Sequence, residues 1–278
     1  MSTSESLLRR GVVRDGAGFV LTLDPAFQGL PDTAHGGSVL AAFHLVASGV
    51  DRGTMRGVYR RRVPLGVPLK LTTLRDDRDC ACELRDLSGT TLVDGVVSSV
   101  ADTDEVPPPL PPANGHPLPV SSACFACGID NAFGLRVQLR FDDDGVGGSW
   151  TPRQELTGAD GTLAPLALTT LLDEAAFWLG ALASGESGMT TELAVTLHAA
   201  VTRDRPLIVA GAREAVRQRA NDPRYWDTTV VIRDAAGRCA ASAHITFVAV
   251  RGAARRLVNG MLRMNASDIV RRVFPAYV

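Results

Sequence analysis

Residues 34–48 read AHGGSVLAAFHLVAS, and this stretch decides the fold because it is apolar on almost every side. Such a run predicts a buried helix over about residues 36–48, which a curved sheet would have to surround. The His-Gly-Gly at its start is typical of an anion or carbonyl site, because free N–H groups point outward at a helix N-terminus. The helix carries no carboxylate, and His44 is its only titratable side chain. A catalytic base would have to come from elsewhere.

A second apolar segment, PLALTTLLDEAAFWLGALA at residues 165–183, predicts a second core helix. Strand-like residues precede each helix: GFVLTLD in the first half, and LRVQLRF with GGSWT in the second. Alternating segments typical of antiparallel strands follow each helix, and the pairs RDLSG and RDAAG indicate equivalent hairpin turns. One helix followed by several antiparallel strands, twice over, predicts an α+β repeat.

A proline-rich stretch separates the two halves. Seven of the twenty residues in TDEVPPPLPPANGHPLPVSS, residues 103–122, are proline, which disfavours helix and predicts an extended linker. The predicted organisation is a first domain at 1–104, a linker at 105–120, a second domain at 121–250 and a helical tail at 251–278. The tail is expected to dock on the sheet or on a partner chain, with a membrane-surface role as the weaker alternative.

The composition narrows the function classes. The chain has 278 residues, 45% hydrophobic and 21% charged, which is typical of a globular protein. A net charge of −1 gives no basic field for nucleic acid. The sequence has no run of 18 apolar residues, so no membrane span is expected. The N-terminus lacks the apolar segment of a signal peptide. Five cysteines, an odd number, argue against a disulfide framework, so a cytoplasmic protein is expected.

The order of elements resembles the hotdog fold. FQGLPDTAHGG (27–37) and CFACGIDNAFGL (124–135) resemble motifs of hotdog acyl-CoA thioesterases of the phenylacetyl-CoA and hydroxybenzoyl-CoA type. In that family both motifs lie in one domain, whereas here they lie in different halves, as duplication and divergence would leave them. The resemblance covers roughly residues 10–250. It implies an α+β double hotdog, with two antiparallel sheets each wrapped around a central helix.

The two halves have lost complementary parts of the family site. When they are aligned without gaps, Asp173 falls on His44, and TTLLDEA resembles the family's acid-bearing segment. Pro165 falls on Gly36, whose family counterpart offers its N–H to the thioester carbonyl. Proline has no N–H to offer. The resemblance therefore implies one composite site that pairs Gly36 with Asp173, and an inactive opposite site.

The predicted site residues follow from this alignment. Catalytic roles are predicted for Asp173, Gly36, His35 and Thr190, and substrate-binding roles for Gln28, Gly37, Glu174 and Thr191. Asp173 would be the nucleophile or the general base toward water. Thr190, with Thr191 as the neighbouring option, resembles the family hydroxyl that holds the water. Glu174 is the alternative carboxylate, but a helix turns about 100° per residue, so only one of the pair is expected to face the site.

Structural explanations stand beside these roles. Asp173 could be a solvated edge residue, His44 a satisfied core histidine, and HGG merely a tight helix entry. Cys124-x-x-Cys127 is half of a zinc site, without a histidine at the usual spacing, or a redox pair without a thioredoxin-like context. The resemblance gives this motif a structural role without a metal, and no cofactor is expected.

The expected function is hydrolysis of an acyl-CoA or acyl-carrier thioester. One alternative is a pseudo-enzyme that binds an acyl thioester or another hydrophobic ligand. Another is a hotdog lyase or cyclase in a biosynthetic pathway, which would need a histidine as well as Asp173. Arginines would favour binding of CoA phosphates, but the sequence does not indicate which ones. The internal pair could associate further into a homo-oligomer.

Overall fold

The computed structural model describes residues 3–47, 53–99, 114–158 and 161–278. Within these residues the first half contains two helices and six strands: α1 Ser4–Arg10, β1 Val12–Asp15, β2 Gly18–Leu21, α2 Gly36–Val46, β3 Gly53–Tyr59, β4 Leu69–Arg75, β5 Asp79–Arg85 and β6 Thr91–Ser98. The second half contains β7 His116–Pro117, β8 Arg140–Phe141, β9 Gly145–Trp150, α3 Pro165–Ser184, β10 Gly188–Leu197, β11 Leu207–Ala212, β12 Arg217–Gln218, β13 Tyr225–Arg233 and β14 Cys239–Ala249. Two tail helices follow, α4 Ala254–Met261 and α5 Ser267–Val273, and short 3₁₀ turns cover Pro25–Phe27, Gln154–Leu156, Arg213–Ala215 and Pro275–Tyr277.

The two predicted sheets are joined edge to edge into one continuous sheet. Among the described residues the first half contributes the strand order β1-β2-β4-β5-β6-β3, and the second contributes β10-β14-β13-β11-β9-β8-β7, with β12 on β13. The join is the antiparallel pair β3–β10, in which Thr54 lies opposite Thr196 and Val58 opposite Glu192. The pairing closes the edge that each half-sheet would otherwise expose to solvent.

The two long helices are buried against each other. Phe43 of α2 is fully buried, and Gly95 of β6 makes room for it, since a Cβ there would lie 2.5 Å from the Phe43 ring. Full burial of such a ring stabilises the fold by about 1.5–3 kcal/mol. The helices cross at Gly37, where a Cβ would lie 2.6 Å from the backbone of Thr169 and Thr170. The N-terminus of α2 is thereby set beside the middle of α3.

The internal repeat extends to the backbone hydrogen bonds of the loops before both helices. Two bonds of the first half recur at aligned positions in the second. The bond from His35 N–H to Phe27 O matches that from Ala164 N–H to Leu156 O, and the bond from Gly29 N–H to Thr33 O matches that from Gly158 N–H to Thr162 O. The hairpin turns also correspond, with Gly89 and Gly237 at φ of 87° and 81° in RDLSG and RDAAG. The ungapped alignment therefore describes the structures of the loops and helix starts, whereas the hairpin turns correspond only after extra residues in the second half.

One predicted strand was largely wrong. Within LRVQLRF, residues 135–141, only Arg140–Phe141 forms a strand. The N–H groups of Leu135 and Val137 instead donate to Phe125 O at 2.8 Å and Ala126 O at 3.0 Å. Backbone carbonyls of the cysteine motif therefore accept the hydrogen bonds that a neighbouring strand would otherwise accept.

The linker and the tail flank this core. Residues 105–113 of the predicted linker lie outside the described residues, and His116–Pro117 pairs with β8 at the edge of the sheet, where proline is tolerated. In the tail, Phe274 is fully buried with its ring 6.3 Å from that of Trp178 in α3. Asn265 exchanges two hydrogen bonds with the backbone of Val120, at 2.8 and 2.9 Å. The tail therefore packs on the chain's own second half.

Helix α3 is long and apolar enough to cross a membrane by length and composition alone. Its most apolar 18-residue window has a mean hydropathy of 1.4, but 83% of that window is buried inside the protein. Within the described chain it is a core helix surrounded by the sheet.

Candidate active site

A cavity of about 950 Å³ lies between the two halves. Residues of the first half, the second half and the tail all line it, so the site does not belong to one half alone. Seven predicted site residues lie on its wall: Gln28, His35, Gly36, Asp173, Glu174, Thr190 and Thr191. The eighth, Gly37, lies behind the wall at the crossing of α2 and α3.

The carboxylate of Asp173 lies at the N-terminus of α2, the helix of the other half. Its Oδ2 accepts the Gly37 N–H at 3.1 Å and lies 3.1 Å from His35 Nδ1. The Gly37 N–H, predicted to assist substrate binding, is thus already used to hold the acid. Gly36 is the first residue of α2, and among the described hydrogen bonds none uses its N–H. This free donor sits beside Asp173, since a Cβ on Gly36 would lie 2.7 Å from Oδ2.

Strand β10 supplies the second support for Asp173. Thr190 donates its hydroxyl to Asp173 Oδ1 at 2.6 Å. The pairing of β10 with β14 is irregular between Thr190 and Glu192, and Thr191 donates instead to Thr246 O at 3.2 Å. Thr190 is therefore the hydroxyl that touches the acid, while Thr191 bonds to the neighbouring strand.

The expectation that only one acid of the pair faces the site was wrong. Asp173 and Glu174 are both buried and both line the cavity. The imidazole of His35 lies between them, and its Nε2 is 3.6 Å from Glu174 Oε2. Trp178 donates its indole N–H to Glu174 Oε1 at 2.8 Å. A ring with nitrogens on two sides reaches both acids, although they are about 100° apart on the helix.

The electrostatics favour a protonated His35 and an ionised Asp173. Burial alone would lower the pKa of His35, but contacts with Asp173 and Glu174 raise it well above its ordinary value. Burial alone would raise the pKa of Asp173, but His35, Thr190 and the Gly37 N–H hold it below its ordinary value. A protonated Nδ1 donates to Asp173, so the Gly37 N–H pairs with the carboxylate rather than with the ring, which lies 3.3 Å away.

This pairing predicts a direction of pH dependence. The raised pKa means that the folded chain holds the His35 proton more tightly than the unfolded chain, whose histidines titrate near 6.5. The stabilisation is complete below pH 6.5 and is lost as the pH rises through the folded pKa of His35. We expect NMR of labelled histidine side chains to show His35 still protonated well above pH 6.5.

Asp173→Asn is the control for that titration. Removing the acid leaves burial as the main influence, so the pKa of His35 should fall. A wild-type His35 that titrates at 6.5 or below would contradict the ion pair.

The cysteine motif, residues 124–135, packs against the loop that precedes α2. Phe125 donates its N–H to Gln28 O at 2.6 Å, and its ring packs edge-on against Phe27 with centroids 5.0 Å apart. Asn131 donates its side-chain amide to Ala26 O at 2.7 Å. The two motifs that lie together in one domain of the family are thus in contact here, although they come from different halves.

The structure also brings a histidine to the cysteines, which their spacing did not suggest. Ligand-type atoms of His35, Cys124 and Glu174 lie within 4.8 Å of one another. In this arrangement the two ring nitrogens of His35 face Asp173 and Glu174, and these contacts raise its pKa. A hydrogen bond between the thiols lowers the pKa of Cys124 and raises that of Cys127. We therefore interpret this cluster as a hydrogen-bonded support of the site.

Some wall residues carry no signal in the sequence. Tyr59, at the end of β3, donates its hydroxyl to Gly36 O at 2.6 Å and so fixes the peptide next to the free N–H. Burial, together with the charge of Asp173, raises the pKa of Tyr59 and keeps it a donor.

Gln28, predicted to line the acyl pocket, lies on the wall and accepts the Asp32 N–H at 3.3 Å.

The opposite pairing, of Pro165 with His44, lacks the N–H donor and the carboxylate of the first. Pro165 begins α3 as Gly36 begins α2, but it has no N–H, and Ala164 stands where His35 caps α2. Neither Pro165 nor His44 lines the cavity that holds Asp173. The structure thus brings together one set of site residues, from both halves.

No family model and no curated protein matches the sequence, but solved structures match it over most of its length. The acyl-CoA thioesterase II of Mycobacterium marinum shares 12% identity at a TM-score of 0.56, covering 90% of this chain and 98% of that chain. A pyran synthase domain of the sorangicin pathway shares 17% identity at a TM-score of 0.58, covering 86% of this chain and 97% of that chain. A hotdog-fold protein of unknown function from Alicyclobacillus acidocaldarius shares 14% identity at a TM-score of 0.57, covering 86% of this chain and 95% of that chain. These likenesses establish the fold: the chain is an α+β hotdog protein, similar in structure to hotdog thioesterases.

Proposed function

We propose that this chain hydrolyses acyl thioesters at one composite site between its two halves. The observation that supports the proposal is the position of Asp173, an acid of the second half, against the helix N-terminus of the first half. Two successive N–H groups start that helix. One holds the carboxylate and the other is free, so a carbonyl bound to the free group would lie beside the acid.

The chemistry follows from these positions. A thioester carbonyl oxygen accepts the Gly36 N–H, and the positive end of α2 stabilises the negative charge that develops on this oxygen. Asp173 either takes a proton from an attacking water or attacks the carbonyl carbon itself and is then released by water. In both routes the C–S bond breaks, water supplies the new carboxyl oxygen, and the thiolate leaves and is protonated. His35 and Thr190 hold the carboxylate in place and keep it ionised.

The cavity wall suits a substrate with an apolar acyl group. Phe177, Trp178 and Met261 provide apolar surface, and a volume of about 950 Å³ is within the range of small-molecule sites. We propose acyl-CoA or acyl-carrier thioesters as the substrate class and the cytoplasm as the location. The thioesterase name of a solved relative supports the class.

The experiment is release of free thiol from short, long and aromatic acyl-CoA thioesters. Turnover of at least one member is expected. Failure with every member, while a ligand still raises the melting temperature, would refute hydrolysis and favour the binding-only alternative.

A lyase or cyclase is the second candidate, because the structure pairs a histidine with an acid across the halves and a pyran synthase domain shares the fold. A lyase would need a neutral histidine to remove a proton from the substrate carbon. His35 instead lies between two carboxylates, which hold its proton. Dehydration of 3-hydroxyacyl thioesters without thiol release would reverse this ranking.

A further inference from the structure

The thiols of Cys124 and Cys127 adjoin the catalytic cavity, and the proposed hydrolysis makes no use of them. Both residues line the cavity of about 950 Å³, although only 5% and 6% of their surfaces are exposed. The fold therefore shields the two thiols but places them beside a space that is wide enough for small solutes.

The backbone turn that carries the two cysteines holds them close together. Gly128 donates its N–H to Cys124 O at 2.9 Å, which closes one helical turn over residues 124–128. The turn requires glycine at its end, since a Cβ on Gly128 would lie 2.1 Å from Cys124 O. Residues three apart on such a turn are neighbours, and this spacing suits the Cα separation of about 4.4–6.8 Å that a disulfide requires.

The two thiols differ in reactivity. A hydrogen bond with the Cys127 thiol, aided by the charge of His35, lowers the pKa of Cys124 against the effect of burial. The hydrogen bond with Cys124 and burial raise the pKa of Cys127, whose thiol also reaches Glu174. The thiolate is the nucleophilic form of cysteine, so Cys124 is the better attacking group and Cys127 is placed to react with its product.

We propose that Cys124 and Cys127 are an oxidation site, at which hydrogen peroxide converts the dithiol to a disulfide and so switches off the adjacent catalytic groups. The Cys124 thiolate attacks a peroxide oxygen, the O–O bond breaks, and Cys124 becomes a sulfenic acid as water leaves. The Cys127 thiol then attacks that sulfur, the S–S bond forms, and the sulfenic oxygen leaves as a second water. The dithiol loses two electrons, and one peroxide is reduced to two waters.

The disulfide acts on the catalytic groups through Glu174 and His35. Ligand-type atoms of Cys124, Glu174 and His35 lie within 4.8 Å of one another. Oxidation removes the thiol proton that Cys127 offers to Glu174 and draws the Cys124 sulfur away from His35 toward Cys127. Because His35 holds Asp173, it transmits this change to the acid, and a displacement of about 1 Å near reacting groups lowers a rate by up to about 10²-fold.

The test treats the folded chain with hydrogen peroxide, removes the excess with catalase, and blocks the remaining thiols with N-ethylmaleimide after denaturation. Trypsin isolates the proposed dithiol in one peptide, residues 86–136, apart from Cys80 and Cys82. That peptide should lose two hydrogens and take up no label. Cys80 and Cys82 are equally buried but extended along β5 and outside the cavity, so they should stay labelled. Acyl-CoA turnover, followed by thioester absorbance, should fall at least about tenfold and return with dithiothreitol.

Two variants test the order of attack. In Cys127→Ser the oxidation of Cys124 should stop at the sulfenic acid, which dimedone labels. In Cys124→Ser the thiol of Cys127 should stay reduced at the same peroxide concentration. Cys239→Ser removes a half-buried thiol outside the cavity, so this matched control should form the disulfide as the wild type does.

Two labels on peptide 86–136 after peroxide treatment, or a disulfide that leaves turnover unchanged, would overturn the proposal. The oxidation itself needs no thioester, so it is separable from the proposed hydrolysis. If the wild type hydrolyses no thioester, side-chain NMR of His35 replaces turnover as the measurement. Its resonances should shift on oxidation and return on reduction, and unchanged resonances would refute the switch.

Discussion

Asp173→Asn is expected to lower thiol release from the best acyl-CoA substrate by about two orders of magnitude or more, the usual contribution of a positioned acid or base. Asparagine has nearly the same shape, but its amide oxygen replaces only one of the two carboxylate oxygens, so it can accept from Thr190 or from the Gly37 N–H and not from both. It cannot act as a base or readily as a nucleophile. The loss should therefore appear in kcat, with KM little changed.

His44→Asn is the control for this variant, because His44 occupies the aligned position in the first half. The composite site predicts near wild-type turnover for it. Equal losses in the two variants would mean that Asp173 acts through the fold rather than on the substrate. Circular dichroism and melting temperature would verify that both variants are folded.

Gly37→Ala is expected to destabilise the chain by about 3 kcal/mol, at the upper end of the usual cost of overpacking. The added Cβ would lie 2.6 Å from backbone atoms of Thr169 and Thr170, and backbone in the middle of a helix cannot turn aside as a side chain can. The two helices would have to separate, and the Gly37 N–H would move away from Asp173. We expect a lower urea midpoint and a parallel loss of activity.

Gly260→Ala provides the comparison for that substitution. Gly260 also lies in a helix, but a Cβ there meets nothing within 4 Å. Alanine has the higher helix propensity, so this variant should be unchanged or stabilised by up to about 1 kcal/mol. A Gly37→Ala protein as stable as Gly260→Ala would refute the close helix crossing.

The repeat and the acid at the helix N-terminus could be predicted from sequence because both depend on local order. The apolar run after HGG fixes α2, and Pro165 fixes the start of α3. An ungapped alignment of the halves places Asp173 at the position of His44, and the resemblance to hotdog thioesterases then implied its pairing with Gly36. Local patterns located the two helices, but the pairing across the halves needed the family resemblance.

Other features depend on contacts between distant segments. The imidazole of His35 reaches both Asp173 and Glu174, which the angular argument along α3 could not anticipate. Residues 135–137 have the alternation of a strand but bond to the cysteine segment instead. Arg263 lies on the cavity wall because the tail packs back on the second half, and no motif indicates that contact.

The most direct test of the composite site is its stoichiometry. A thioether analogue of a hydrolysed acyl-CoA, which cannot be cleaved, would be titrated into the full chain by calorimetry. One active pairing of Gly36 with Asp173 predicts one molecule bound per chain. Two equivalent molecules per chain would contradict the account, because the pairing of Pro165 with His44 would then also bind the substrate.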